Sequence, residues 1–120
     1  PDRNIMLFFL HDDEMHELSL LYYSYLAKKN SIQIYYLGQN VPVNDLKRMA
    51  KMDKIGSVFT VFINSIEKEE LENYLQELNT VFQGKKIYIS GLQIKMHNPA
   101  IPEGFSVVVN YQDFEKMLPV

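Results

Sequence analysis

The sequence predicts a doubly wound α/β domain, a five-stranded parallel sheet with helices on both faces. Three observations carry this. Strand-like apolar runs and helical patterns alternate five times along the chain. The first and third runs, residues 4–10 and 58–63, are apolar almost throughout, as strands buried on both faces are. The chain has 120 residues, 47% of them hydrophobic, which suits one domain and its core and is too short for two.

The elements follow in order. Residues 4–10 form the first strand. Leu18, Leu21, Tyr22, Tyr25 and Leu26 fall at helical spacing and are expected to face the core, with Asn30 as a left-handed stop. Leu20 and Tyr23 then point away and leave an extra apolar face for another domain or subunit. Residues 32–37 form the second strand and residues 38–43 a turn. Residues 45–52 form a helix with Leu46, Met49 and Ala50 inward. The third strand spans residues 58–63. Ser65 can cap the third helix, whose first turn carries Glu67, Glu69 and Glu70 at the positive end of its dipole. Leu71, Tyr74, Leu75, Leu78 and Phe82 are its buried stripe, and Gly84 ends it. Residues 86–90 are the fourth strand, 91–104 mostly loop with one helical turn, 105–109 the fifth strand, and 111–118 a terminal helix. Parallel strands need crossovers, and five of them suggest the flavodoxin-like, Rossmann-like three-layer arrangement with order 2-1-3-4-5.

Composition excludes several classes of function. The chain has no cysteine, which removes thiol catalysis, zinc ribbons and disulfide frameworks and fits a reducing, cytoplasmic setting. A net charge of −3 without a basic cluster makes the chain by itself a poor DNA binder. No apolar run approaches a membrane span. The chain begins at Pro1 and reaches its first strand almost at once, so residues 1–120 are expected to be a single domain from a longer protein.

In this topology ligands bind at the carboxyl ends of the first and third strands. The loops there are residues 11–16 and 62–66, with residues 90–96 on the same edge. His11-Asp12-Asp13-Glu14 resembles the acidic pair of a phosphate-accepting receiver, but the third strand ends in Thr60, Ile63 and Asn64 and offers no aspartate as acceptor. A nucleotide cradle would need a glycine-rich or hydroxyl-rich loop, and three acids stand there instead. Within Glu14-Met15-His16-Glu17-Leu18-Ser19, His16 is the candidate ligand; read alone it is a helix-start histidine. His11 and His97 read as loop residues, and Thr60 and Ser90 can equally serve to satisfy backbone groups at strand ends.

Set together, these segments resemble the cobalamin-binding domains. His16 matches the histidine of their D-x-H-x-x-G motif. Thr60-Val61-Phe62 falls where the family has Ser-x-Leu, and Ser90-Gly91 where it has Gly-Gly. Tyr36-Leu37-Gly38-Gln39-Asn40-Val41-Pro42 resembles the second-strand turn of cobalamin-binding-like domains at the C-terminus of MerR-type transcription regulators. The resemblance implies cobalamin as cofactor, His16 as its cobalt ligand, and Glu14, Ser19, Thr60, Phe62, Ser90 and Gly91 as further cofactor-binding residues. It also implies a slot beside the third and fourth strands for the nucleotide tail. Imidazole suits cobalt, and a carboxylate behind it, here Glu14, would fix its tautomer.

The sequence departs from the pattern at Glu14, Ser19, Val61 and Ser90, each larger than the family's residue. Overfilling a close-packed slot costs about 1–3 kcal/mol per site, so tail binding is expected to be weakened or lost. The resemblance implies a ligand-sensing effector domain of a transcription regulator rather than an enzyme. DNA would be met through an N-terminal segment, and the protein would be a homo-oligomer. The rival readings are a corrinoid carrier of a methyltransferase or mutase and a cofactor-free interaction domain.

Overall fold

The strands pair through the predicted crossovers. A computed structural model of the protein describes residues 4–118; residues 1–3 and 119–120 of the expected domain lie outside them. The elements are β1 (Ile5–Phe9), α1 (Glu17–Lys29), β2 (Gln33–Gly38), α2 (Val43–Ala50), β3 (Ile55–Val61), α3 (Lys68–Val81), β4 (Lys86–Ser90), α4 (Leu92–His97), β5 (Phe105–Val107) and α5 (Tyr111–Met117). All neighbouring strands are parallel and their order is β2-β1-β3-β4-β5. This is the flavodoxin-like fold that the alternation of patterns predicts. Among the described residues no helix is long and apolar enough to cross a membrane.

The two-residue period of the strands splits the core into two layers. Ile5, Leu7 and Phe9 of β1 pack with Leu46 of α2 and Leu71, Leu75, Leu78 and Phe82 around α3. Met6, Phe8 and Leu10 face the other way, onto Leu20, Tyr23 and Leu26 of α1 and Phe114 of α5. Phe114 sits among rings, with centroids 5.1 Å from both Tyr23 and Phe59 and 6.0 Å from Tyr88.

Several local expectations are corrected. The buried face of α1 is Leu20, Tyr23, Ser24, Leu26 and Ala27. Leu18, Leu21, Tyr22 and Tyr25, expected inside, are 81%, 46%, 44% and 55% exposed. The helix is apolar on both sides, so periodicity could not choose; the fit of Tyr23 among Phe59 and Phe114 does. Ser31, not Asn30, is left-handed, with φ 66°. Asn30 instead donates through Nδ2 to Leu26 O and to Glu115 Oε2, both at 2.8 Å, tying α1 to α5. Ser65 does not cap α3, which starts later with Glu67 at its N-cap. β3 starts at Ile55, paired to Ile5, ahead of the polar break at Gly56 and Ser57. The loop after β4 contains the six-residue helix α4, stopped by Asn98 in a left-handed turn at φ 45°. β5 is only three residues long because the Val109 amide turns away to Asp113 Oδ2.

Phe114 joins α5 to α1, β3 and β4. Phe114→Ala is expected to lower unfolding free energy by about 3–5 kcal/mol, read from urea denaturation, with secondary structure retained.

Candidate functional site

The chain leaves β1 at Leu10 and makes a tight turn, with Glu14 N donating to His11 O at 3.1 Å and Asp13 in the left-handed region at φ 74°. The turn drives the Glu14 side chain inward, where it is 0% exposed. Its Oε1 accepts from the amides of Ile63 and Asn64 at 2.6 and 2.9 Å. Its Oε2 accepts from the amide and the ring Nδ1 of His16, both at 3.1 Å. Burial alone would raise the Glu14 pKa, but the amides of Ile63, Asn64 and His16 and the His16 ring outweigh it and hold the carboxyl below its ordinary range. The carboxylate therefore ties the β1–α1 loop to the end of β3. Asn64 Nδ2 adds a bond to Asp13 O.

An ionised carboxylate can only accept, so Nδ1 of His16 carries the proton. In the neutral imidazole Nε2 then keeps the lone pair, on a side chain 56% exposed. An imidazole oriented by a carboxylate, with its other nitrogen outward, is the arrangement a metal-ligating histidine needs. The extra methylene of Glu14 does not prevent this contact.

Glu17, to which sequence reading assigned no role, fixes the neighbouring turn. Its Oε2 accepts from Tyr36 OH and its Oε1 from Gln39 Nε2, both at 2.7 Å. Burial and the Glu17 carboxylate together keep Tyr36 a neutral phenol. A Cβ on Gly38 would sit 3.3 Å from Glu17 Oε2, and φ there is +77°, so the Leu-Gly-Gln-Asn turn has a glycine where it is needed.

The remaining candidate residues form the walls of the sheet edge. Thr60 is fully buried and donates to Phe9 O at 2.7 Å. Ser90 donates to Val108 O at 2.6 Å. Both hydroxyls thus satisfy strand-end carbonyls. The Phe62 side chain lies in the α3 layer of the core, on the opposite sheet face from Tyr23 and Val61. Gly91 is required by contact: a Cβ there would meet Phe62 O at 2.4 Å, with φ +115°. Phe62 N donates to Ser90 O, and Gln93 N and Nε2 donate to Phe62 O and Ile63 O. The three loops expected at the binding edge are therefore bonded to one another.

Beside β3 and β4, where the slot was expected, core side chains cover both sheet faces. On the α1 and α5 side, Tyr23, Phe59, Val61, Tyr88 and Phe114 are all buried in one cluster. The Tyr23 ring centroid is 4.6 Å from that of Phe59, and its hydroxyl is within hydrogen-bonding reach of Ser90. Ser19 lies four residues before Tyr23 on the same side of α1 and is half-buried. On the α3 side, Val58, Phe62, Leu75, Ile87 and Ile89 fill the other face. The Glu14–His16 pair therefore fits the cobalt-ligand half of a corrinoid site, while the buried rings between the sheet and α1 and α5 do not fit a nucleotide tail on that side.

His11 is half-buried, its ring stacked on Phe62 at 5.1 Å and near Tyr74 at 5.2 Å. Burial lowers its pKa from the ordinary 6.5, against the opposing pull of Glu14 and its neighbours. His97 lies on α4, with Nε2 at 2.7 Å from Ile66 O. Among the described residues no three acidic or histidine side chains gather as a metal site. A cavity of about 530 Å³ opens between α4 and the end of β5, lined by Ser90, Gly91, Ile94, Pro99, Ile101 and Val108 among others. Sequence reading missed it because it treated residues 91–104 as loop. Neither His16 nor Glu14 lines it.

Glu14→Ala would orphan the Ile63 and Asn64 amides, at roughly 1–3 kcal/mol each, and urea denaturation should show the loss. Glu14→Gln keeps one acceptor oxygen and should lose less. Acid stability should fall in two stages. His11, with a lowered folded pKa, contributes fully above 6.5 and loses its contribution as pH falls below that value. Glu14, also lowered, contributes fully above the ordinary carboxylate range and loses it as pH falls through and below that range. Urea midpoints against pH should show both stages, and His11→Phe should remove the first.

No family model and no curated protein matches this sequence. Solved structures do match its fold. One is a cobalamin-binding protein from Desulfitobacterium hafniense, with TM-score 0.73 and 14% identity over 96% of this chain and 57% of the other. Another is the monomethylamine corrinoid protein of Methanosarcina barkeri, with TM-score 0.66 and 16% identity over 96% of this chain and 56% of the other. The chain thus spans a little over half the length of each. At these identities the likeness is one of fold: this is the flavodoxin-like architecture found in cobalamin-binding and corrinoid proteins.

Proposed function

We propose that this chain is a non-enzymatic effector domain of a transcription regulator, built on the cobalamin-binding fold with its nucleotide-tail slot closed by an aromatic core. The observation that carries the reading is the packing of Tyr23, Phe59, Tyr88 and Phe114 where the tail would lie. An enzyme or carrier that turns over on a corrinoid has to admit the tail; a domain that transmits a signal through its surface does not. The regulator context is supported by the turn from Tyr36 to Pro42, held in shape by Glu17. DNA contact would come from another segment of the polypeptide, since this chain is acidic overall.

One observation favours a second reading, the corrinoid carrier. The Glu14–His16 pair presents a ring nitrogen as a cobalt ligand would require. When bound, a corrinoid would supply organocobalt chemistry, and His16 would hold the cobalt while Glu14 held the imidazole.

A single titration separates the two. The intact protein is mixed with hydroxocobalamin or adenosylcobalamin, desalted, and its visible spectrum recorded. The effector reading predicts no retained corrinoid and no spectral shift. Stoichiometric retention with a shift abolished by His16→Ala would show a working corrinoid site and overturn the closed slot on which the proposal rests.

A further inference from the structure

We infer that the outward face of α1 is a self-association surface, covered by α1 of a second copy running antiparallel. Leu18, Leu21, Tyr22 and Tyr25 stand at i, i+3, i+4 and i+7 and are all exposed, so they form one stripe on a helix about 20 Å long. A helix face left to solvent is normally charged. Here no charged residue interrupts the helix between Glu17 and Lys28. Tyr111, 41% exposed, widens the stripe, its ring 4.5 Å from Tyr22, while Tyr22 lies 5.8 Å from Tyr25. Tyrosine-rich apolar patches of this kind are characteristic of interface centres.

The charges at the two ends choose the occupant and its direction. Asp12, Asp13 and Glu17 sit at the N-terminal end, and Lys28 and Lys29, both exposed, at the C-terminal end. No ion pair forms on either lysine among the described residues. A parallel copy would set acid on acid and base on base. An antiparallel copy about a two-fold axis near Leu21 and Tyr22 sets Leu18 of one helix opposite Tyr25 of the other. It brings the acidic end of each toward the lysines of its neighbour and opposes the helix dipoles. The surface uses neither His16 nor the aromatic slot, so its test reads separately from the corrinoid titration.

Analytical ultracentrifugation of the intact protein tests it with three exposed-site variants, each checked for folding by circular dichroism. Wild type should dimerise. Leu18→Lys with Tyr25→Lys should weaken the dimer by about 30-fold or more per site. Lys28→Glu with Lys29→Glu should also weaken it, and adding Asp12→Lys with Asp13→Lys should recover much of the loss. A wild type that stays monomeric at about 100 μM, far above ordinary interface affinities, overturns the inference. So does a dimer untouched by the stripe variant, which would place the contact elsewhere, or a charge reversal without recovery, which would rule out the antiparallel pairing.

Discussion

One buried carboxylate organises the functional edge of this fold. Glu14 leaves the β1–α1 turn, passes inside, and accepts four hydrogen bonds from the end of β3 and the start of α1. Parallel sheets concentrate loops at their carboxyl edge, and such loops would be mobile without ties. Here one side chain fixes the first loop to the third strand, while Phe62 and Gln93 bond that strand's end to the loop after β4. The orientation of His16 follows from the same group. Position, tautomer and exposure of the imidazole are all consequences of where Glu14 is buried.

On the proposed reading, the two halves of a corrinoid-type site differ in this chain. The histidine half is assembled, with a carboxylate behind the ring and a nitrogen toward solvent. Where the tail would lie on that reading, rings from α1, β3, β4 and α5 are buried against one another. The two are separable because they rest on different elements. Glu14 and His16 depend on a turn. The slot depends on which face α1 presents to the sheet, and Tyr23 is the residue that α1 presents. Docking α1 by Tyr23 also leaves Leu18, Tyr22 and Tyr25 outside, so closure of the slot and exposure of the apolar stripe are two results of a single helix rotation.

The sheet order was legible because long apolar runs and helical periods alternate without ambiguity. The sheet edge that carries the candidate site followed from topology, and the contact of Glu14 with His16 from their nearness in the first loop. The rotation of α1 was not legible: a helix with Leu or Tyr on every side has no preferred face until a tertiary partner selects one. The left-handed residue Ser31 and the N-cap Glu67 were missed because each lies near an equally polar residue, Asn30 and Ser65, and Glu67 makes no side-chain cap bond to mark it. Thr60 and Ser90 fitted two roles by position, ligand group or strand-end donor, and the three-dimensional contacts show their hydroxyls donating to the Phe9 and Val108 carbonyls. Glu17 carried no sequence signal, since its partners Tyr36 and Gln39 lie about twenty residues away.

A buried, ionised Glu14 sets the His16 ring with Nδ1 protonated and Nε2 outward. Long-range proton–nitrogen correlation spectra at about pH 8, where an ordinary imidazole is neutral, read this tautomer directly, and carboxyl-carbon shifts followed into acid read Glu14. The expected result is the Nδ1–H tautomer for His16 and a Glu14 carboxyl that titrates below the ordinary range, with the Ile63 and Asn64 amide shifts moving alongside it. An Nε2–H tautomer together with an ordinary Glu14 titration would contradict it.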